Sequence, residues 1–168
     1  MQNKLTKRKF DNVEQVYGYA MSLLNYRDYS SKDMFQKLVA KGAQPAEANE
    51  AIAKLLEHNF INEERYANQV FRAWLNKKDC GKRSLYMELH HKNVSEECIP
   101  MVMESFTDEM EEANAQKAIR YFLKYKCGKN KYTRESLLAA GARFVTNRGF
   151  GSRYIQVLLD ILRNDDDI

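Results

Sequence analysis

The stretch NFINEERYANQVFRAWLNKKDCGKRSLYMELHHKNV, residues 59–94, decides the fold. Its first half reads as a helix. Asn62 stands as the cap, and Glu63 and Glu64 fall in the first turn, where the helix dipole favours acids. Tyr66, Ala67, Val70, Phe71 and Trp74 then recur at helical spacing as one apolar stripe, which makes Trp74 a core residue rather than a stacking surface for a ligand. A basic loop follows, and then a second helix over 82–92, buried through Leu85, Tyr86 and Leu89 and stopped at Lys92-Asn93.

The second half of this stretch recurs on both sides. Leu38, Lys41, Gly42, Ala43, Ala48, Ile52 and Leu55, moved forward by 51, land on Leu89, Lys92, Asn93, Val94, Ile99, Met103 and Phe106. A further 56 reaches Val145, Arg148, Gly149, Phe150, Ile155, Leu159 and Leu162. Each column keeps its physical type, and a period of this length marks a helical-repeat protein. The expected fold is all-α: three tandem three-helix repeats stacked into an elongated, curved array. The expected divisions are a flexible basic arm over 1–10, repeats over 11–58, 59–107 and 108–163, and an acidic tail over 164–168.

Local signals place the remaining helices. Asp11 or Asn12 caps a helix to about residue 25, and Ser30 with Asp33 opens the next over 31–41, closed by Gly42. Pro45, with Gln44 before it, suits the first turn of a helix that buries Ala48, Ile52, Leu55 and Leu56. Ser95 caps the last helix of the middle repeat with Glu96 and Glu97 leading; Pro100 either kinks that helix or moves its start later. In the third repeat, helices are expected over 108–125, from a Thr133 cap to Asn147, and after Phe150, the last packing Ile155, Val157 or Leu158, Leu159 and Leu162. No segment shows sustained β alternation.

With 168 residues, 44% hydrophobic, 7 Gly and 2 Pro, the chain has enough apolar surface for a core and suits helices with short connections. No signal peptide or membrane-length apolar run is legible, so the expected compartment is the cytoplasm and no membrane is involved. Cys80, Cys98 and Cys127 form no CxxC pair, and His58, His90 and His91 show no ligand spacing with them, so no metal or cofactor is expected. No Walker-type loop, GxSxG or HExxH occurs, and the acids sit where capping explains them; an enzyme is not expected.

Charge is unevenly spread within a net of +4. Residues 94–112 hold seven acids and no Lys or Arg; residues 115–134 hold seven Lys or Arg and no acid. This fits either a polyanionic or bipolar partner or solvated helix faces. Tyr121, Tyr125 and Tyr132 interleave with Lys124, Lys126, Lys129 and Lys131, a pattern shared by single-strand nucleic-acid binders and by tyrosines covering the flank of a core. The anomaly is NKKDCGKR, residues 76–83: Lys82 and Arg83 stand in a first turn that opposes their charge. With free N–H groups beside Gly81 they form an anion-binding corner for a phosphate or a protein carboxylate; alternatively the two side chains bend into water at about a few tenths of a kcal/mol each. Arg72, Lys77 and Lys78 extend that surface, and Arg148 and Arg153 bracket the matching turn of the last repeat. These seven cations are the candidate partner-binding residues.

Three elements resemble the RecX family of bacterial RecA regulators: Tyr29-Ser30 through Asp33-Met34 and Lys37-Leu38 to Lys41-Gly42; Phe60-Ile61-Asn62-Glu63-Glu64-Arg65-Tyr66-Ala67; and Arg148-Gly149-Phe150 with Ile155 and Val157-Leu158. Gly81, Leu85, Glu88-Leu89 and Lys92-Asn93-Val94 continue the likeness, which spans residues 13–162. Asn62-Glu63-Glu64 stands where Asp-Asp is common, Asn93 replaces the usual Gly, and the third repeat's middle helix is longer than typical. The resemblance implies a non-enzymatic monomer that binds the RecA filament on single-stranded DNA. It would inhibit ATP hydrolysis and strand exchange and restrain recombination and the SOS response. The other reading of the same basic segments is a helical module that binds single- or double-stranded nucleic acid without RecA.

Overall fold

The computed structural model describes residues 10–76, 79–127 and 133–164. Residues 1–9 of the basic arm, Lys77 and Lys78, Lys129, Lys131 and Tyr132, and the tail from residue 165 lie outside the described residues. Among those described, every regular element is a helix: α1 Val13–Leu24, α2 Ser31–Ala40, α3 Pro45–Glu57, α4 Glu63–Leu75, α5 Lys82–His91, α6 Ile99–Ser105, α7 Asp108–Phe122 continued by a π-helical turn Leu123–Cys127, α8 Arg134–Asn147 and α9 Ser152–Asn164. They follow one another as three sets of three, the repeat arrangement expected from the recurring columns.

The boundaries follow from capping chemistry. A helix leaves its first N–H groups without intrahelical partners. Asn12, Ser30, Asn62, Thr107 and Thr133 each accept one of them through a side-chain oxygen. The Glu47 carboxylate accepts the Gln44 N–H at 3.3 Å, and Pro45, which has no N–H to satisfy, opens α3. At the other ends, Gly42 (φ 106°) and Gly149 (φ 76°) take the left-handed conformation, as does Asn93 (φ 53°), so asparagine fills the glycine column without a change of backbone. The middle helix of the third repeat has 14 residues against 10 in each of the other two.

Pro100 moves the start of its helix. Residues after Ser95 form a turn in which the Cys98 N–H donates to the Ser95 carbonyl, and α6 begins only at Ile99. Pro100 is then the second helical residue, where its missing N–H breaks no helical bond. Glu96 and Glu97 therefore precede the helix and are not first-turn acids.

The helices group into two compact units, Met1–Gln69 with Asn93–Cys98 and Val70–Lys92 with Ile99–Ile168. The first is built on Val16, Ala20, Met34, Leu38, Ala48, Ala51, Leu55 and Ile61, all buried. Phe10 is buried too, its ring 5.7 Å from that of Tyr19, so the last residue of the arm belongs to this core. In the second unit, Trp74 and Phe71 meet Phe106 edge-on at 5.2 and 6.4 Å, as the stripe requires of a core tryptophan. Around Phe122, Leu137, Val145, Leu158 and Leu162 a further cluster closes, to which Tyr154 contributes unexpectedly. Two expected core residues are instead exposed, Leu56 (42%) and Tyr86 (45%), and of the alternatives Val157 and Leu158 it is Leu158 that is buried, with Val157 49% exposed. Each exposed residue lies one position along the helix from a buried neighbour, Leu55, Leu85 or Leu158, and the ~100° step per residue carries it off the packed face.

The two kinds of position should respond differently. Leu89→Ala, at a fully buried site, should lower unfolding free energy by about 2–5 kcal/mol through a cavity. Leu56→Ala should change it by less than about 0.5 kcal/mol. Urea titrations followed by helical circular dichroism measure both.

Candidate functional site

Two helix starts, one in each unit, are completed by side chains from later in the chain. In the first unit the Ser31 N–H at the start of α2 donates to the Glu63 carboxylate, the first residue of α4, at 2.7 Å. The Ser30 hydroxyl accepts the next free N–H, that of Asp33, at 3.1 Å. Asp33 in turn accepts from the Asn93 amide at 2.6 Å and from the hydroxyl of buried Tyr66. Burial, and next the charge of Asp33, push the Tyr66 phenol above its ordinary value. Arg65 holds the same corner from outside, pairing with Asp28 at 3.0 Å and donating to the Phe60 carbonyl. The run Phe60–Ala67 is thus a docking code. Ile61 is buried, Asn62 caps, and Glu63, Arg65 and Tyr66 each reach back to residues 28–33.

The second unit repeats this at α5. The Lys82 N–H donates to the carboxylate of Glu111 on α7 at 2.8 Å, and that carboxylate is buried. The Gly81 N–H donates to the Arg148 carbonyl (2.9 Å), the Arg83 N–H to the Gly149 carbonyl (3.2 Å) and the Ser84 N–H to the Gly81 carbonyl (3.0 Å). The expected anion-binding corner is therefore filled from within: its anion is Glu111, and its N–H groups are not open to an outside ligand. This also explains why α5 carries no first-turn acid of its own, since α7 supplies one. A Cβ on Gly81 would lie 2.5 Å from the Gly149 oxygen and 2.8 Å from Glu111, so the backbone approach excludes any larger residue.

Glu111 was not among the candidate residues, yet a signal for it exists. Moving Glu63, Ala67, Val70, Phe71 and Trp74 forward by 48 gives Glu111, Ala115, Ala118, Ile119 and Phe122. The four apolar partners are buried in both helices, so the acid sits on the inward stripe. From the second repeat to the third the first helices are offset by 48, whereas the second and third helices are offset by 56, and the mismatch hides the column.

The seven candidate cations separate. Lys82, Arg83 and Arg153 line one open groove of about 620 Å³ with Glu111, Thr146 and Tyr154. Lys82 Nζ pairs with Asp108 at 2.5 Å, and this contact raises the Lys82 pKa and lowers that of Asp108. Arg153 donates to the Tyr154 hydroxyl, stacks over the same ring at 4.4 Å and stands 3.9 Å from Glu112; the hydrogen bond raises its pKa. Arg83 is exposed and pairs with no carboxylate among the described residues. α9, like α5, has a cation and no acid in its first turn, so α5 is not alone in opposing its dipole. The Arg148 carbonyl belongs to the α5 corner, but its guanidinium turns to the Phe144 ring, 3.8 Å away. Arg72 is exposed on α4, and Lys77 and Lys78 lie outside the described residues. Among the described residues no His, Cys, Asp and Glu cluster is placed to hold a metal, and no helix is long and apolar enough to cross a membrane.

The junction makes two predictions. Gly81→Ala should destabilise by about 1–3 kcal/mol, because a carbonyl cannot yield as a side chain does. Gly18→Ala, mid-helix with open space around it, should stabilise by about 0.4–1 kcal/mol. Thermal melts compare the two. Asp108 has a lower pKa folded than unfolded, so its stabilisation is present above the unfolded value and fades as pH falls through the folded one. The melting difference between parent and Asp108→Asn should therefore shrink below about pH 4.

Comparison with known proteins bears on the family and the fold. A model of the RecX first three-helix domain matches residues 17–55. The chain is 32% identical over 148 residues to Regulatory protein RecX of Vibrio campbellii, an alignment covering 88% of this chain and 90% of that protein. It is 28% identical over 147 residues to the protein of the same name from Chlorobium phaeobacteroides, covering 88% and 93%. The crystal structure of RecX from Lactobacillus salivarius shares the fold, with a TM-score of 0.72 at 19% identity over 91% of this chain and 97% of that one. With a relative 32% identical along nearly the whole length of both proteins, the chain belongs to the RecX family of regulatory proteins.

Proposed function

We propose that the protein is a non-enzymatic, cytoplasmic regulator that binds the RecA filament on single-stranded DNA and inhibits its ATPase and strand-exchange activities. The observation that carries this is membership of the RecX family along nearly the whole chain. The tandem repeats support it, because repeated units suit a partner that is itself a repeating polymer. Each repeat, over 11–58, 59–107 and 108–163, would be one contact module.

The proposed contacts are Arg72, Lys77, Lys78, Lys82, Arg83, Arg148 and Arg153. Within this set the roles differ. Lys82 is tied to Asp108 and completes a helix start whose N–H is held by Glu111. Arg83 is the cation best suited to meet a partner's carboxylate or phosphate, since it is exposed beside a groove and its guanidinium presents a bidentate fork. Arg153 stands across the same groove on α9.

Purified protein should slow single-strand-dependent ATP hydrolysis by RecA of the same cell at substoichiometric amounts. No effect at equimolar protein would overturn the proposal. Arg83→Glu with Arg153→Ala should weaken inhibition at least about tenfold, as loss of a charged contact of about 1.5–3 kcal/mol requires. Helix content should be unchanged. Undiminished inhibition would remove this groove from the contact surface.

A further inference from the structure

On α7, the π-helical turn Leu123–Cys127 that continues it, α8 and the turn that ends α8 lies a row of rings and cations: Tyr121, Lys124, Tyr125, Phe144 and Arg148. Tyr121 and Tyr125 stand 4.8 Å apart, and Tyr121 stacks nearly parallel to Phe144, at 9° and 6.3 Å. Phe144 packs on the core cluster of the third repeat, but the two tyrosines extend past it and are each 50% exposed. Arg148 lies over Phe144 at 3.8 Å and within 5.9 Å of Tyr121, and Lys124 lies 5.3 Å from the Tyr125 ring.

Covering a core does not account for this arrangement. A tyrosine serving only that purpose would bury its ring and lead its hydroxyl to water; these two present half their surface on the outside. The sequence around the two tyrosines has one sign: residues 115–134 contain seven Lys or Arg and no acid, of which Lys117 pairs with Asp79 at 3.6 Å. A guanidinium over a ring keeps N–H donors at its edge, where they match a phosphate.

We infer that Tyr121, Tyr125, Phe144, Arg148 and Lys124 form a stacking surface for a single-stranded nucleic acid. Bases rest on the open faces of the tyrosines, and the phosphates lie against Arg148 and Lys124. Every base has a π-face, so such a surface tolerates any sequence, and its cations give it a strong salt dependence. A duplex hides its base faces and cannot use the tyrosines. A protein partner would need an apolar counterpart to the rings and acids for the cations together, whereas a single strand brings base faces and phosphates at once to the rings and to Lys124 and Arg148. The inference stands apart from the RecA reading, since it requires the strand alone.

The test is fluorescence anisotropy of a labelled oligothymidylate with the full chain at low salt and no RecA. An abasic strand of equal length and charge serves as the control. Oligothymidylate should bind more tightly than the abasic strand. Tyr121→Ala or Tyr125→Ala should weaken binding roughly 5- to 100-fold, the loss of one stacked base, while Tyr121→Phe retains it. Arg148→Ala, which keeps the carbonyl used by Gly81, should weaken binding and flatten its salt dependence. Absence of binding at low salt, equal binding of the abasic strand, or parental affinity in both alanine variants would overturn the inference. So would loss of RecA inhibition in Tyr121→Ala with strand binding intact, because the row would then be a protein contact. Strand binding lost with RecA inhibition preserved would support the inference and leave the RecA proposal standing.

Discussion

A helix that begins beside another packed helix cannot leave its first N–H groups to water. At α2 and α5 the solution is the same: a glutamate from the first helix of the following repeat, Glu63 or Glu111, turns back and accepts the first N–H. A hydrogen bond to a charged acceptor contributes about 1.5–3 kcal/mol, roughly twice a neutral one, and leaving the N–H unmet would cost a similar amount. The carboxylate is also held at the positive end of the helix dipole. Much else at each corner is arranged around this contact. Asn93 and Tyr66 converge on Asp33 in one unit, and the Arg148-Gly149 carbonyls converge on Gly81 and Arg83 in the other.

The two corners reach this state with different residues, which shows what is constrained. Ser30 caps α2 with its own hydroxyl, whereas its counterpart Gly81 has no side chain: the Ser84 N–H donates to the Gly81 carbonyl and the Arg83 N–H to the Gly149 carbonyl. Asn93 and Gly149 share a left-handed backbone, yet Asn93 adds a side-chain bond to Asp33 that Gly149 replaces with backbone. Geometry is kept while the donors and acceptors are exchanged. Family motifs read as short strings are, at this level, the residues that let one repeat close on the next.

Much of the fold was legible because its signals are local. Caps such as Asn12, Ser30 and Thr133, the Gly42 stop and the apolar columns each report on a few neighbouring residues. The errors came where distance in sequence mattered or where neighbours looked alike. Leu56 and Tyr86 are apolar but one step off the packed face, and the choice between Val157 and Leu158 stayed open for the same reason: only tertiary packing settles it. Lys82 and Arg83 looked like an open anion site because the acid that fills it is 29 residues away. The groove cations and the tyrosine row were each legible as residue types; their separation into distinct surfaces was not, because nothing in the sequence says that Arg148 turns toward Phe144.

The division of labour that results is physical. Residues facing inward at the corners, Glu63, Tyr66, Gly81 and Glu111, are consumed by structure, while Arg83 and the outer faces of Tyr121 and Tyr125 are exposed. The central claim, that a back-reaching carboxylate completes each helix start, is tested most directly by amide hydrogen exchange and proton shifts at Ser31 and Lys82. Both amides should be protected and shifted downfield. Glu63→Ala should abolish this at Ser31 alone, and Glu111→Ala at Lys82 alone. Amides that exchange as freely in the parent as in an unstructured peptide, or that ignore these substitutions, would contradict the account.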